Sequence, residues 1–282
     1  MQQDFYFWSK STRLMKVFAF ALLTLLLPLA LFAQDAKDPK ATEVWEPEPR
    51  AVTPGIATAP PSDAIVLFSG DNLDQWQKPQ FIYERGTVPE MQAMINELDA
   101  NYANPAADWT VEEGQIIVKP GTGAIETKQA FGSFQLHIEW LSPVDAGKEG
   151  QAYSNSGVFM MSLYEIQILN SHKNRTYSNG QAGSIYKQHI PLVNASRSAG
   201  TWQSYDIVFN APRFSTDGKL ERPASVTAFH NGVLIQNAVT LEGPTAYIGK
   251  SSYFPHPAKL PLRLQDHGDL VRYRNIWIRE LE

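Results

Sequence analysis

The sequence predicts an all-β protein, a two-sheet antiparallel β-sandwich or jelly roll. From residue 109 onward, short apolar or alternating segments recur at short intervals, separated by Gly, Asn, Asp and Pro. Asn231 and Gly232 stand between two such segments, and this dipeptide favours a two-residue hairpin turn. A single stretch shows helical spacing. Many short strands joined by turns, with almost no helix, are typical of sandwiches and jelly rolls.

The strands are predicted from short apolar or alternating runs bounded by turn residues. A first strand is predicted at 64–68, ahead of a polar turn at 69–72. Further strands are predicted at 109–111, 115–118, 124–127, 134–141, 157–161, 164–169, 204–210, 225–230, 233–238, 262–266 and 271–281.

One short amphipathic helix is predicted within 79–107, where the β pattern breaks. Met91, Ile95 and Leu98 recur at helical spacing, and Pro89 is a helix-start signal just ahead of them. We expect this helix to be an insertion near the rim of a sheet.

The N-terminus has the features of an export signal. Basic residues up to Lys16 precede an apolar run at 17–33 that ends in small residues. We therefore predict a signal peptide at 1–33 and a periplasmic or secreted protein that is not inserted in the membrane after cleavage. The alternative is an uncleaved anchor helix, for which the run is short and contains Pro28.

The rest of the chain divides into an arm and one domain. Residues 34–62 are rich in proline and small residues and have no sustained period, which predicts an extended linker or arm. The domain is predicted at 63–282. The chain has no cysteine, so an exported domain must be held together by its hydrophobic core without disulfides.

Composition and motifs argue against several functional classes. The formal net charge of the 282 residues is −5, too mild to indicate nucleic acid or an anionic membrane as a partner. The sequence contains no Gly-rich phosphate loop, no HExxH and no GxSxG. No cofactor is predicted. A divalent cation held by Asp, Glu and His stays open, because no spacing specifies such a site.

The segment 153–170 is the best candidate for a functional strand. Glu165 and Gln167 alternate with apolar neighbours, so their side chains project from the same face of the strand. Asn155 lies in the polar turn that opens the segment. An apolar face beneath a polar, ligand-facing one is how β-sandwiches commonly build a binding surface.

A second strand, 134–141, also has a polar face. Gln135, His137 and Glu139 alternate with apolar residues. We expect this face to lie beside the Glu165 strand, where Glu139 would contact the same ligand. The alternative is a solvated outer face with a structural carboxylate.

A cluster of polar residues closes the strand at 262–266. Gln265, Asp266 and His267 precede Gly268, at a strand end where loop-borne catalytic groups are commonly found. His267 is the better candidate for proton transfer, since imidazole titrates near neutrality. An Asp-His pair can also simply close a turn.

Two further segments offer groups for a sugar. The polar loop at 172–182 contains Arg175 and leads into Tyr186, and such groups can bind the hydroxyls of a ligand. The alternative is that this loop is an ordinary surface loop. Trp202 opens the strand at 204–210 and is either a core residue or a platform on which a sugar stacks.

Ten segments in a fixed order carry a resemblance to a known family. They are LFSGDNLDQW, WTVEEGQIIV, FGSFQLHIEW, NSGVF, YEIQIL, GSIY, TWQSYDI, HNGV, LQDHG and VRYRNIWIREL. Individually loose, together they resemble the 3-keto-disaccharide hydrolase domain family over 64–281.

The resemblance implies a concanavalin-A-like jelly roll whose concave sheet binds carbohydrate. It also implies action on glycosides in which the C3 hydroxyl has been oxidised to a ketone. Such a ketone acidifies the neighbouring C2–H, so a base can remove this proton while the C1 leaving group departs by elimination. Water then adds to the product. This chemistry needs a general base, an acid for the leaving oxygen and donors for the enolate oxygen.

The Glu165 strand differs from that of two-carboxylate glycosidases of the same fold. Laminarinase-type enzymes use the pattern Glu-x-Asp-x-x-Glu, and here only the first carboxylate is present, with Gln167 and Asn170 at the other two positions. This difference favours elimination. Most members of the resembled family have Asp where this chain has Asn170, which leaves open a protein that binds without catalysing.

We therefore predict an exported enzyme that cleaves 3-keto-glycosides, with Glu165 and His267 transferring protons and their roles as base and acid left open. The alternative is a non-catalytic, lectin-like glycan-binding module. In either case the partner is a carbohydrate. The residues predicted to bind the sugar are Asn155, Gln167, Tyr186, Gln265, Asp266, Glu139, Arg175 and Trp202.

Overall fold

The computed structural model describes residues 38–81, 86–145 and 147–281. The predicted signal peptide at 1–33 lies outside these residues. Within the described ranges, no helix is both long and apolar enough to cross a membrane. The chain divides after Ala51 into two compact units. The described part of the first unit contains the 3₁₀ turn Pro39–Thr42, whose first turn is capped by Asp38.

The second unit contains two large antiparallel sheets. The larger sheet has eight strands: β1 (Ile65–Phe68), β3 (Thr110–Glu112), β4 (Gln115–Ile117), β6 (Phe134–Leu141), β9 (Gln203–Asn210), β12 (Ser225–His230), β13 (Val233–Thr240) and β15 (Arg272–Glu280). Their order is β13-β12-β9-β6-β15-β4-β3, with β1 paired to β15.

The smaller sheet has five strands: β2 (Trp76–Gln77), β5 (Ile125–Phe131), β7 (Ser156–Met160), β8 (Tyr164–Ile168) and β14 (Leu260–Leu264). Their order is β2-β5-β14-β7-β8. A ribbon of β10 (Arg213–Phe214) and β11 (Leu220–Arg222) is separate from both sheets. The two-sheet antiparallel β-sandwich predicted from the sequence is confirmed.

The apolar faces of the two sheets form one core. In β6, Phe134, Leu136 and Ile138 are fully buried, as the alternation predicted. Tyr164 of β8 packs on Phe209 of β9, with ring centroids 5.6 Å apart, so side chains from the two sheets interdigitate. The core therefore lies between the sheets, and polar residues of alternating strands face away from it.

The predicted helix is α1 (Val88–Asn96). Its N-terminus is fixed by Glu90, whose Oε2 accepts from the backbone N–H of Thr87 at 2.7 Å, and this bond lowers the pKa of Glu90. Met91 and Ile95 are buried, as expected from their spacing. Leu98 lies beyond the last helical turn.

Several strand boundaries differ from the prediction. β5 continues to Phe131, well beyond the predicted 124–127, because its second half pairs with β14 although it contains Lys128 and Gln129. β2, β10 and β11 were not predicted, since these strands of two or three residues show no apolar run or alternation.

One predicted strand neighbour is wrong. β6 does not lie beside the Glu165 strand. It lies in the larger sheet, paired with β9 and β15, while β8 lies in the smaller one. Both strands point their apolar faces into the shared core, so their polar faces look out from opposite sides of the sandwich.

Candidate active site

The outer face of the smaller sheet carries a row of side chains centred on Glu165. Strand register sets Arg263 of β14 opposite Phe159 of β7, and Phe159 opposite Glu165 of β8. Ile185 forms a bridge with Ile166, and Tyr186 donates its N–H to the carbonyl of Glu165 at 3.3 Å. Directly opposed residues share a face, so Tyr186 extends the row past the edge of β8.

A second row runs parallel to the first, with a glycine at its centre. Gly157 lies opposite Gln167, and the N–H of Gln265 donates to the carbonyl of Gly157 at 3.0 Å. A Cβ at Gly157 would lie 2.4 Å from Oε1 of Glu165 and 2.8 Å from Cε2 of Phe159. The missing side chain therefore makes the space in which the Glu165 carboxylate lies.

Hydrogen bonds hold the amides of this second row. The Nε2 of Gln167 donates to Oδ1 of Asn155 at 2.9 Å, and both residues are buried. The N–H of Asn155 in turn donates to Asp269 at 2.9 Å, and Asp269 pairs with Lys148. The structure thus brings Asn155 and Gln167 together in a hydrogen-bonded network beside Glu165.

The backbone of Glu165 is held by Thr245, which lies in the segment between β13 and β14. Glu165 is 4% exposed, and its N–H donates to Oγ1 of Thr245 at 2.9 Å. The N–H of Thr245 donates back to the carbonyl of Leu163 at 2.8 Å. These bonds fix the strand position from which the carboxylate projects.

Tyr186 brings a neutral hydroxyl to the site. Its Oη lies 2.7 Å from that of Tyr177, and the side chain is almost fully buried. Burial, the bond to Tyr177 and the nearby charge of Glu165 together raise the pKa of Tyr186 well above its usual value. At neutral pH this residue is therefore a phenol that can donate a hydrogen bond.

The three site residues predicted in the LQDHG segment, Gln265, Asp266 and His267, have different positions in the structure. Gln265 joins the second row, and its Oε1 is buried with no hydrogen-bond partner in the described part of the chain. Asp266 accepts from the N–H groups of Gly123 and Gly268, at 3.0 and 2.9 Å, so it closes a turn. His267 is exposed, after the end of β14.

The pairing of His267 with Glu165 stays a prediction. The register sets Glu165 level with Arg263, and His267 is four residues further along the chain. Four residues of extended chain span about 13 Å, although the chain is no longer a strand beyond Leu264.

Glu139 and Trp202 are not part of this site, which corrects the prediction. Glu139 projects from the outer face of the larger sheet, where Arg274 Nε and Asn275 Nδ2 bind its carboxylate at 2.7 and 2.9 Å. The guanidinium of Arg274 lies 4.0 Å from the ring centroid of Trp202. Both residues belong to the larger sheet's side of the sandwich, since Glu139 is in β6 and Trp202 directly precedes β9. Arg175 is an exposed loop residue.

The sequence analysis missed Arg263 and Gly157. Arg263 is 1% exposed, and its Nη2 lies 3.2 Å from Glu126 Oε2. Its Nε and Nη1 are buried and have no hydrogen-bond partner among the residues that the structure describes. An arginine at an alternate position in the apolar strand Leu260–Leu264 was the available signal. The role of Gly157 had no signal, since it depends on Glu165 across the sheet.

Asn170 also has a structural role. Its Oδ1 accepts from the N–H of His172 at 3.3 Å, and its carbonyl accepts from Asn174 at 2.7 Å. The side chain thus closes a turn after β8. Across the described ranges, no group of three or more His, Asp or Glu side chains is arranged to hold a metal ion.

Similarity to known proteins places this two-sheet sandwich among carbohydrate-active proteins. The 3-keto-alpha-glucoside-1,2-lyase-like domain matches residues 63–279, and the chain belongs to this family. The resemblance found in the sequence is thereby confirmed. No curated protein matches the chain.

Two solved structures from Parabacteroides distasonis ATCC 8503 are similar to this chain, and both are named "putative glycosyl hydrolase". One is 41% identical with a TM-score of 0.73, covering 86% of this chain and 96% of its own. The other is 19% identical with a TM-score of 0.50, covering 78% and 94%, and is similar in fold alone.

Proposed function

We propose that this protein is an exported enzyme that cleaves 3-keto-glycosides by elimination followed by hydration. The observation that carries the proposal is the position of Glu165. Its carboxylate lies over Gly157, in the row that Tyr186 continues and next to the row that contains Gln265. The family description supports a keto sugar as the substrate.

The spacing of carboxylates on this face favours elimination over two-carboxylate hydrolysis. Glu126 shares the face, but it is three strands from Glu165 in the register, about 14 Å at about 4.8 Å per strand. Glycosidases that use two carboxylates place them roughly 5–10 Å apart. Glu126 is also bound to Arg263. Glu165 is therefore the carboxylate to which we assign proton abstraction.

In the proposed reaction, Glu165 removes the C2 proton, which the C3 ketone acidifies. The C2–H electron pair forms the enolate of the C3 ketone. As the enolate collapses back to the ketone, its electrons form the C1–C2 double bond, the C1–O bond breaks and the leaving oxygen takes a proton from an acid. Water then adds across the double bond, with the OH at C1 and the proton returned to C2. The reaction needs no oxidant or reductant, because the ketone is regenerated.

The neighbouring groups have distinct proposed tasks. The buried amide of Gln265 is suited to donate to the ketone oxygen as it gains negative charge. Tyr186 is suited to protonate the leaving oxygen, since its phenol is neutral and is hydrogen-bonded to the exposed Tyr177. His267 is the alternative acid. Asn155 and Gln167 are proposed to bind the hydroxyl groups of the keto sugar and so orient it over Glu165.

A binding module is the second candidate, because of Asn170. Its amide replaces the Asp that most members of the resembled family carry, and it closes a turn. If that Asp is a working acid, the present chain would bind a glycan and not transform it.

Glu165→Gln tests both candidates. With a 3-keto-disaccharide in D₂O, the wild type should release the leaving sugar and exchange the C2 proton, both followed by NMR. The variant should lose about 10²–10⁴-fold in both rates while it still binds the sugar. Glu112→Gln, at the exposed end of β3, is the matched control and should retain full activity. Sugar binding by the wild type with neither exchange nor release would establish the binding module instead.

A further inference from the structure

Tyr177 is an exposed aromatic residue whose orientation is fixed. Its side chain is 42% exposed, yet its hydroxyl is held 2.7 Å from the hydroxyl of the buried Tyr186. The two rings meet edge to face, with centroids 6.2 Å apart.

Gly180 holds the other side of the ring. A Cβ at Gly180 would lie 2.0 Å from Cε2 of Tyr177 and 2.6 Å from Cδ2 and Cζ, so the ring lies directly against the glycine. The N–H of Gly180 also donates to the carbonyl of Tyr177 at 3.0 Å, closing the 3₁₀ turn Ser178–Gly180. The ring is therefore held by backbone on one side and by a hydroxyl at its tip.

The ring of Tyr177 lies at the edge of the candidate site. Tyr186, to which it is bonded, is the next residue in the row that contains Glu165. The charge of Glu165 contributes to the raised pKa of Tyr177, after burial, which agrees with this proximity. Lys187 Nζ lies 5.4 Å from the ring centroid of Tyr186 and 4.3 Å from that of Tyr247, which is 47% exposed.

We propose that the face of Tyr177 is the stacking platform for the leaving-group sugar, the ring joined to C1 of the keto sugar. A restrained aromatic face gives contact area to the C–H face of a pyranose at little entropic cost. The assignment of this ring as the leaving group rests on the proposed function. If Tyr177 is a stacking platform, the protein should have affinity for a second sugar ring, whether or not the proposed elimination takes place.

Binding measurements separate the platform from the chemistry. Calorimetry would compare an unoxidised glucose disaccharide, which lacks the ketone, with methyl glucoside. We expect the wild type to bind the disaccharide more tightly. Tyr177→Leu should weaken disaccharide binding about tenfold and leave methyl glucoside binding within about twofold. Tyr177→Phe keeps the ring and its contact with Gly180 but loses the bond to Tyr186, so its disaccharide affinity should lie between those of the wild type and Tyr177→Leu.

Gly180→Ala provides a second variant that retains the tyrosine. The new methyl group must displace the ring, so the loss of disaccharide affinity should match that of Tyr177→Leu. Circular dichroism and Tm would check that each variant is folded.

Equal loss for both ligands, loss for neither, or a wild type that binds neither sugar would each overturn the platform. A wild type that binds as expected but never turns over a 3-keto-disaccharide would overturn the proposed reaction and leave the platform standing.

Discussion

The substitution Gly157→Ala tests how the active-site carboxylate is placed. Oε1 of Glu165 lies 2.4 Å from the position that the new Cβ would occupy, and ordinary carbon–oxygen contact needs about 3.4 Å. The carboxylate must therefore move by about 1 Å. A displacement of that size at a reacting group costs about 10²-fold in rate, or about 2.7 kcal/mol of transition-state stabilisation.

We expect Gly157→Ala to remain folded despite a loss of stability. The crowded atoms are the end of one side chain and the edge of the Phe159 ring, and both can shift, so we expect at most about 1–3 kcal/mol of destabilisation. The assay is kcat/KM on a 3-keto-glucoside, with urea unfolding in parallel.

Gly132→Ala is the matched control for Gly157→Ala. It crowds a backbone carbonyl at 3.2 Å in the connection between β5 and β6, away from the Glu165 row. This variant should lose stability but keep its kcat/KM. If Gly157→Ala folds and retains wild-type kcat/KM, the position of the carboxylate over Gly157 has no part in catalysis and the reasoning is refuted.

Two further predictions concern stability and specificity. Burial and then the charge of Arg197 lower the pKa of His230 to about 4, so the unfolded state binds this proton more tightly and stability is lost as pH falls from about 6.5 toward 4, by roughly 3 kcal/mol. His230→Gln should remove that part of the pH dependence in urea unfolding, and an unchanged pH slope would contradict the assignment. Trp202→Leu should cost about 1 kcal/mol of stability through lost contact with Arg274 and leave kcat/KM within about twofold, whereas a raised KM would place Trp202 at the sugar.

Local pattern predicted the elements well because side-chain direction in a strand depends only on neighbours along the chain. β6 was predicted at its observed bounds, Phe134–Leu141. The shared face of Glu165 and Gln167 followed from the same alternation, and both do face away from the core. The ordered motifs indicated the family, which the match over 63–279 confirmed.

Strand neighbours depended on contacts between residues far apart in sequence. Glu139 shows the same alternation as Glu165, yet its strand belongs to the other sheet, and no local signal distinguishes the two cases. Arg263 joins the Glu165 row through β7, which lies about a hundred residues earlier in the chain.

The sequence by itself determined the fold class, the faces of the strands and the chemical types available to a site. Only the tertiary structure decided which of those groups meet, because register is set by the packing of whole sheets. Gly157 is the clearest case. Its importance depends on a carboxylate across the strand pair, and that proximity exists only once β7 and β8 are aligned.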